Sequence, residues 1–192
     1  MSERIVLDRG DLRRTLVRIA HEIIEKNPGG EQLAIVGIHT RGAIIGQRLH
    51  ALVSELAEVK IPLGDVDISF YRDDVDLRDP REAPLVTASH LDFDPAGLTV
   101  ILTDDVLFTG RTARAAIDVL FDYGRPQRVQ LAVLADRGHR DLPIRPDYVG
   151  KNLPTALAER VNVQLEEIDG IDEVKIGVGA GEPVADLGGG QG

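Results

Sequence analysis

Residues 100–112, with the sequence VILTDDVLFTGRT, restrict the possible folds of this chain more than any other stretch. An apolar run predicts a strand over residues 98–103, and Asp104 and Asp105 stand where that strand is expected to end. A Thr-Gly-Arg-Thr turn then opens a predicted helix. In an open α/β sheet, ligands bind at the carboxyl ends of strands, and the N-terminus of a helix attracts phosphate. The stretch therefore predicts an α/β sheet with a sugar-phosphate site at one edge.

The residue types in this stretch suit different parts of a sugar phosphate. Gly110 allows the backbone to approach a phosphate closely, and the hydroxyls of Thr109 and Thr112 can bond to it. The two carboxylates can accept hydrogen bonds from vicinal ribose hydroxyls or hold Mg²⁺. The alternative is an ordinary strand-to-helix connection with an acidic cap, but all these features within thirteen residues favour a binding site.

A second anion-binding loop is expected at the same sheet edge. Residues 33–38, LAIVGI, predict a buried parallel strand, and a helix is predicted over residues 43–57. Between them Thr40, Arg41 and Gly42 form a tight turn at a helix start, where Arg41 can grip an anion through two N–H groups. The alternative is an ordinary loop with an exposed arginine.

The remaining pattern predicts a doubly wound, mostly parallel sheet. Asp8 and Asp11 form a capping-box pattern at the start of a helix that runs to about Lys26. Residues 136–154 show little periodicity, which in a compact domain indicates a functional loop. The other predicted strands cover residues 4–7, 66–71, 84–88, 129–135, 160–165 and, more weakly, 174–178, and a further helix covers 113–123.

Composition limits the class of protein. A chain of 192 residues suits one domain, which is expected to end near residue 178 because residues 179–192 are Gly-rich and predicted to be disordered. The net charge of −10 argues against sequence-independent nucleic-acid binding, so a nucleic-acid site must be a local patch. The absence of cysteine excludes disulfides and thiolate metal sites. With no apolar run of membrane-spanning length, a cytoplasmic location is expected.

Several blocks of the chain together resemble the PyrR family of type I phosphoribosyltransferases. VILTDDVLFTGRT resembles the loop that binds phosphoribosyl diphosphate (PRPP) across that superfamily, and DRGHRDLPIRPDYVGKN, at residues 136–152, resembles a block more specific to the family. The resemblance implies the type I phosphoribosyltransferase fold, an open, mostly parallel sheet flanked by helices with a small hood and a flexible hairpin lid. It places the hood at residues 136–154 and the lid at Tyr71, Arg72 and Asp73.

This resemblance also implies a reaction, in which uracil and PRPP give UMP and pyrophosphate. The implied catalytic residues are Asp104, Asp105 and Arg41, and the two aspartates would hold Mg²⁺. In the family pattern a cis peptide is expected between Thr40 and Arg41. The implied 5′-phosphate ligands are Thr109, Gly110, Arg111 and Thr112, and the implied pyrophosphate loop is Thr40, Arg41 and Gly42.

For the base, the resemblance implies that Asp136 and Arg137 bind uracil. Related purine enzymes carry an aspartate just before the Thr-Gly pair, suited to bonding purine N7, and this chain has Phe108 there. This difference argues against a purine substrate.

The resemblance further implies binding to the leader of pyr messenger RNA in response to UMP, by a homodimer or homotetramer. The implied RNA contacts are Arg18, His21, Arg140, Arg145 and Lys151. By pattern alone, the helix face that carries Arg18 and His21 is more typical of a solvated surface. Two departures weigh on this function, since Val17 replaces a threonine common in relatives and TALA, at residues 155–158, replaces a more polar stretch.

Two alternatives stay open at this stage. The chain could be a UMP-sensing RNA-binding regulator with little catalysis, or a phosphoribosyltransferase for another base, such as orotate or a purine, with no RNA role. Turnover with different bases distinguishes these alternatives from a bifunctional enzyme.

Overall fold

The computed structural model describes residues 3–69 and 89–178. The expected lid at Tyr71, Arg72 and Asp73, the expected strand over 84–88 and the expected tail over 179–192 lie outside these residues. Within the described residues the elements are β1 (Arg4–Leu7), α1 (Arg9–Lys26), β2 (Leu33–Ile38), α2 (Arg41–Ala57), β3 (Leu63–Val66), β4 (Thr99–Leu107), α3 (Arg111–Tyr123), β5 (Arg128–Asp136), β6 (Tyr148–Asn152), β7 (Glu159–Gln164), α4 (Glu166–Asp169) and β8 (Glu173–Val178).

Two sheets organise the described part of the chain. The larger has five strands in the order β3-β2-β4-β5-β6, and each neighbouring pair is parallel. The smaller has three antiparallel strands in the order β1-β8-β7. The expected open, mostly parallel sheet is therefore confirmed. Its parallel strands bring the carboxyl ends of β2, β4 and β5 to one edge.

Two apolar clusters cover opposite faces of the larger sheet. One packs α1 and α2 against the sheet through residues that include Leu16, Leu49 and Ile101. The other packs α3 through residues such as Leu102 and Leu120. Since Ile101 and Leu102 are consecutive in β4 and belong to different clusters, this strand is apolar on both faces, which explains its continuous apolar sequence. None of the helices in the described ranges is long and apolar enough to cross a membrane.

Helix α1 forms as its sequence predicts. The Asp8 carboxylate accepts a hydrogen bond of 2.8 Å from the Asp11 backbone N–H, and the Asp11 carboxylate accepts one of 3.3 Å from the Asp8 N–H. This reciprocal pair is the expected capping box. The helix ends at Lys26, and Asn27 stops it by donating from its side chain to the Ile23 carbonyl oxygen at 2.8 Å. The expected inward stripe is buried, namely Leu12, Leu16, Ile19, Ala20 and Ile23.

The structure corrects the ends of three elements. Strand β4 does not end before the aspartates but continues through them to Leu107, because its pairing with β5 extends to Asp136. Strand β3 covers residues 63–66, three residues earlier at its start than the predicted 66–71, since these are the residues that pair with β2. Helix α2 begins at Arg41, two residues earlier than predicted.

The cis peptide lies between His39 and Thr40, one bond before the expected position. The expectation of a cis bond between Thr40 and Arg41 was wrong because that bond leads directly into the first turn of α2. The regular helical backbone is built from trans peptides.

Part of the predicted 136–154 loop is a strand. Residues Tyr148–Asn152 form β6, which pairs with β5 in parallel and makes the edge of the larger sheet. The sequence YVGKN lacks a run of apolar residues, because only Tyr148 is buried and the strand's last two residues are exposed. A short, half-exposed edge strand of this kind carries little periodic signal.

Candidate active site

The first turn of α2 and strand β4 are in direct contact at the carboxyl edge of the sheet. Thr103 is fully buried, and its hydroxyl donates a hydrogen bond of 2.8 Å to the carbonyl oxygen of Gly42. A Cβ atom on residue 42 would lie 2.5 Å from the Thr103 carbonyl oxygen and 3.2 Å from Asp104 Oδ1. Only glycine fits at this approach. The expected pyrophosphate loop therefore touches the strand that carries the two aspartates.

The aspartate pair is held by its own backbone. Asp104 is buried and its Oδ1 accepts a hydrogen bond of 2.9 Å from the Asp105 N–H. Asp105 is half-buried, and its Oδ1 accepts one of 2.9 Å from the Val106 N–H. These bonds restrict the positions of both carboxylates, which are of the oxygen-ligand type that hard cations prefer.

The turn before α3 has the geometry that phosphate binding needs. Gly110 stands at the helix N-cap with a φ of 92°, a left-handed conformation that favours glycine. The Thr109 hydroxyl oxygen accepts a hydrogen bond of 3.3 Å from the Arg111 N–H. Thr112 is half-buried in the first turn of the 13-residue helix. The positive end of the helix dipole and its first N–H groups are thus directed at the carboxyl edge of the sheet.

The 136–154 segment is tied to this turn by its backbone. The N–H groups of Asp141 and Leu142 donate to the Thr109 carbonyl oxygen at 3.0 and 3.1 Å. The Arg111 guanidinium forms an ion pair with Asp141, with 3.3 Å between Nε and Oδ2. A Cβ atom on Gly110 would lie 3.3 Å from Ile144 Cβ, so the segment packs closely over the turn. The sequence did not reveal Asp141 as a partner of Arg111, because the two are thirty residues apart.

Arg140 connects the turn before α3 to the 136–154 segment. Its predicted role as an RNA contact did not anticipate this. Its guanidinium donates to the carbonyl oxygens of Phe108 at 2.8 Å and Ile144 at 3.0 Å, and to the Asp136 carboxylate at 2.5 Å. The side chain is only 22% exposed. These contacts occupy Arg140 inside the protein, and a direct RNA contact by this residue stays a prediction.

Arg137 is also occupied by the protein. The side chain is buried, and it donates to the Thr155 hydroxyl at 3.2 Å and to the Glu159 carbonyl oxygen at 2.8 Å. Its guanidinium carbon lies 4.1 Å from the centre of the Phe108 ring, a cation–π contact. Burial lowers the pKa of Arg137 from its ordinary value.

A cavity of about 430 Å³ lies beside Asp136 and Arg137. This volume is within the usual range for small-ligand pockets. The Asp136 carboxylate accepts a hydrogen bond of 2.9 Å from the Gly138 N–H and so orders the cavity wall. The expected uracil residues thus line a pocket, although their polar side-chain atoms already bond to the protein. The other lining residues are Gly138, His139, Asn152, Pro154 and Thr155.

Arg41 is half-buried and forms an ion pair with a partner that the sequence did not suggest. Its Nη2 donates to both carboxylate oxygens of Asp169, at 3.0 and 3.2 Å. Asp169 belongs to α4, which follows the small-sheet strand β7 and lies far from Arg41 in sequence. Among the described residues, the buried Nε of Arg41 has no hydrogen-bond partner. A buried donor without a partner is costly, so this conformation does not satisfy the whole guanidinium.

The basic residues assigned to RNA divide into two groups. Arg18 donates to the carbonyl oxygens of Val149 and Gly150 at 3.1 and 2.6 Å, and Lys151 donates to that of Val6 at 2.9 Å. Helix α1 thereby lies against the edge strand β6. His21 and Arg145 are exposed, as Arg18 and Lys151 also are, but within the described residues they make no such hydrogen bonds. These two side chains are the better placed of the set for contact with a partner.

Comparison with known protein families agrees with this arrangement. Residues 6–167 match the family model described as the phosphoribosyl transferase domain, so the fold and the site define a phosphoribosyltransferase. The chain is 54% identical to Bifunctional protein PyrR of Roseiflexus sp. over 88% of this chain and 92% of the relative. It is 56% identical to Bifunctional protein PyrR of Deinococcus radiodurans over 89% and 92% of the two chains. The chain therefore belongs to the PyrR family of phosphoribosyltransferases.

Solved structures show the same fold at low sequence identity. The hypoxanthine phosphoribosyltransferase of Staphylococcus aureus superposes with a TM-score of 0.66 at 18% identity, covering 89% of this chain and 90% of that one. The hypoxanthine phosphoribosyltransferase of Trypanosoma cruzi gives 0.67 at 17% identity, covering 90% and 95%. These similarities confirm the expected type I phosphoribosyltransferase fold.

Proposed function

We propose that this chain transfers the phosphoribosyl group of PRPP to uracil, giving UMP and pyrophosphate, and that it regulates pyrimidine genes by binding pyr messenger RNA. The observation that supports catalysis most strongly is the contact between Gly42 and Thr103–Asp104. It sets the proposed pyrophosphate loop against the aspartates, and β4 leads from them to the proposed 5′-phosphate turn. Three groups of PRPP, the pyrophosphate, the ribose and the 5′-phosphate, then have adjoining partners.

In this reaction N1 of uracil forms a bond to C1′ of the ribose as the bond from C1′ to the pyrophosphate oxygen breaks. The N1 proton leaves the base, and both electrons of the broken bond stay with pyrophosphate. Positive charge develops on the ribose, so binding and orientation contribute more than a protein nucleophile would. Asp104 and Asp105 hold the ribose hydroxyls, and residues 109–112 hold the 5′-phosphate.

The donor set at β4 suits Mg²⁺. Two neighbouring carboxylates are hard oxygen ligands, and Mg²⁺ is commonly held by one or two carboxylates together with substrate phosphates. When bound there, the ion neutralises charge on the leaving pyrophosphate.

Arg41 acts on the pyrophosphate by exchanging partners. Nη2 of Arg41 bonds to Asp169, but its buried Nε has no hydrogen-bond partner among the described residues. The hydrogen bonds of this guanidinium are therefore incomplete without a ligand. Pyrophosphate offers several acceptor oxygens, so Arg41 gains bonds when it turns from Asp169 to the ligand. Asp169 keeps a bond of its own, because its Oδ2 accepts from the Leu165 N–H at 2.8 Å.

Uracil is the preferred base because of the residues around Phe108. The ring of Phe108 is flanked by the Arg137 guanidinium and, edge to face, by the His139 ring with 5.9 Å between ring centres. An apolar side chain here offers no acceptor for a purine N7 proton. The cavity beside Asp136 has room for a base against the backbone of residues 136–139. The Asp136 carboxylate fixes the shape of that backbone, since it accepts hydrogen bonds from the Gly138 N–H and the Arg140 guanidinium.

The RNA surface is centred on His21 and Arg145, with Arg18 and Lys151 at the junction of α1 and β6. Exposed basic and imidazole groups suit phosphates and the splayed bases of RNA loops. A homodimer or homotetramer would bring copies of this patch together and so concentrate positive charge locally, although each chain carries a net charge of −10. A protein that reads messenger RNA in this way works in the cytoplasm.

Two experiments test the proposal: turnover with competing bases, and RNA binding with and without UMP. Uracil should be consumed with PRPP while orotate and hypoxanthine are not, and UMP should tighten binding to a pyr leader RNA at fixed salt. Consumption of hypoxanthine or orotate instead of uracil would support a different base. UMP binding without turnover would support a sensor.

A further inference from the structure

A second cluster of ligand-type side chains lies beside the pyrophosphate loop and takes no part in the proposed reaction. His39 follows the last residue of β2, Asp65 lies in β3, and His90 forms an isolated bridge with Asp65. Oδ1 of Asp65 lies 2.5 Å from His39 Nε2 and 3.2 Å from His90 Nδ1. One ligand atom from each of the three residues lies within 4.8 Å of the others.

Backbone hydrogen bonds fix the positions of all three residues. Asp65 and His90 exchange two backbone hydrogen bonds of 2.9 Å each, and the His39 N–H donates to the Val66 carbonyl oxygen at 3.0 Å. A Cβ atom on Gly64 would lie 2.8 Å from the His90 carbonyl oxygen, so the His90 segment is packed tightly on β3. Asp65 thus lies in a paired strand, and backbone hydrogen bonds tie His39 and His90 to that strand, which suits the positioning of metal ligands.

We propose that His39, Asp65 and His90 form a site for a divalent transition-metal ion of the Zn²⁺ class. Two imidazoles and a carboxylate are a common ligand set for such ions, with one position left for water or another ligand. Ligands at about 2.0–2.1 Å from a tetrahedral ion lie about 3.3 Å apart. The His90–Asp65 distance of 3.2 Å already matches this spacing, whereas the His39–Asp65 contact of 2.5 Å must open to reach it.

Charge and access also suit a cation. Oδ1 of Asp65 forms hydrogen bonds with both imidazoles. A bound ion would take the place of the hydrogens in these bonds. The side chains of His39 and Asp65 are 20% and 26% exposed and that of His90 is 61% exposed, so an ion can enter from solvent. The nitrogen donors distinguish this site from the all-carboxylate pair at β4, which suits Mg²⁺.

The position of His39 connects this ion to the proposed pyrophosphate loop. His39 directly precedes Thr40 and Arg41, so an ion at the cluster fixes the residue at which the chain enters that loop. The binding claim itself does not depend on catalysis, because a metal titration reports the site whether or not the chain turns over uracil.

Titration of the full-length, metal-stripped protein with Zn²⁺ tests the site, with Co²⁺ as a spectroscopic probe of the ligand geometry. The wild type should bind about one Zn²⁺ per chain, and excess Mg²⁺ should not displace it. His90→Ala and Asp65→Asn should each weaken Zn²⁺ binding by about tenfold or more.

His21→Ala is the matched control, since His21 is an exposed histidine on α1 outside the cluster. It should bind Zn²⁺ as the wild type does. His90 is exposed, so its replacement tests the site without opening the core, and circular dichroism verifies the fold of each variant. Absence of Zn²⁺ binding by the wild type, or wild-type affinity in folded His90→Ala, would overturn the proposal.

Discussion

The Thr103 hydroxyl donates a 2.8 Å hydrogen bond to the Gly42 carbonyl oxygen and so fastens the start of α2, where the proposed pyrophosphate loop ends, to the strand that carries Asp104 and Asp105. The bond is fully buried, and the two residues are 61 positions apart in the chain. Strand pairing supports it, because Gly37 of β2 is in register with Thr103 of β4. The pairing of strands in the sheet therefore sets the position of the proposed pyrophosphate loop relative to the two aspartates.

Gly42→Ala should disturb this contact. The added methyl would lie 2.5 Å from the Thr103 carbonyl oxygen, so the loop must shift. We expect PRPP turnover to fall by about tenfold or more and stability to fall by about 1–3 kcal/mol. Enzyme assays and urea unfolding measure the two effects. Gly10→Ala, in α1, is the control, since its nearest neighbour is the flexible end of Arg14; equal loss in both variants would dismiss the loop contact as the cause.

Asp169→Asn should release Arg41 for its proposed ligand. Asparagine can still accept from the Leu165 N–H but no longer forms the ion pair. A loss of about 1 kcal/mol in the competing interaction should tighten pyrophosphate binding by about fivefold. Calorimetric titration with pyrophosphate measures this change.

Glu166→Gln provides the comparison, because Glu166 lies in the same short helix and pairs with Arg9 rather than Arg41. It should leave pyrophosphate affinity unchanged. Weaker binding by Asp169→Asn would show that Asp169 orients Arg41 for the ligand instead of competing with it.

Arg48 makes the acid stability of the protein depend on α4 and the residues after it. Its guanidinium bonds to Glu167 at 2.5 and 2.9 Å and to Asp172 at 2.7 and 3.2 Å. These bonds lower the pKa of Glu167, and they outweigh burial to lower the pKa of Asp172. A carboxylate with a lowered pKa stabilises the fold above its ordinary pKa and loses that contribution as pH falls through the lowered value.

Arg48→Met should therefore cost about 2 kcal/mol at pH 7. The difference from wild type should stay constant down to the ordinary pKa values of 4.5 and 3.8 and then shrink as the carboxylates are protonated. Urea unfolding between neutral and acid pH measures it. A difference that is the same at pH 3 and pH 7 would mean that lost packing, and not charge, causes the effect.

Replacing His21 and Arg145 by Ala should weaken binding to a pyr leader RNA while uracil turnover continues. Loss of the Arg145 charge should reduce the salt dependence of binding by about one phosphate contact. Filter binding over a range of salt concentrations measures this. Arg125→Ala is the charge-matched control, because Arg125 is exposed directly after α3, the helix that covers the other face of the sheet from α1. Unchanged RNA affinity in the double variant would show that the RNA surface does not include His21 and Arg145.

Local signals were sufficient for the elements that build the sheet. The capping box of Asp8 and Asp11 and the continuous apolar run of β2 are short-range patterns, and the structure contains both as predicted. The Thr-Gly turn likewise marked the start of α3 to within two residues. These features are encoded by neighbouring residues, so sequence alone can reveal them.

Long-range partners were beyond the sequence pattern. Asp169 reaches Arg41 from the far end of the chain, and Arg140 contacts the Phe108 carbonyl oxygen across 32 positions. Basic residues in a loop suggest a ligand surface, but here tertiary packing uses Arg137 and Arg140 to satisfy carbonyl oxygens. The fold decides which charged groups stay exposed and which bond to the protein. A family resemblance assigns a role to a residue but does not show whether the protein's own carbonyl oxygens already occupy its side chain.

The most direct test of the account is UMP formation from radiolabelled uracil and PRPP with Mg²⁺, by the wild type and by a variant with both Asp104→Asn and Asp105→Asn. Asp118→Asn, on the exposed face of α3, is the control. We expect uracil turnover by the wild type and the control, and a loss of about a thousandfold in the folded double variant. Near-normal turnover by the double variant, or no uracil turnover by the wild type, would contradict it.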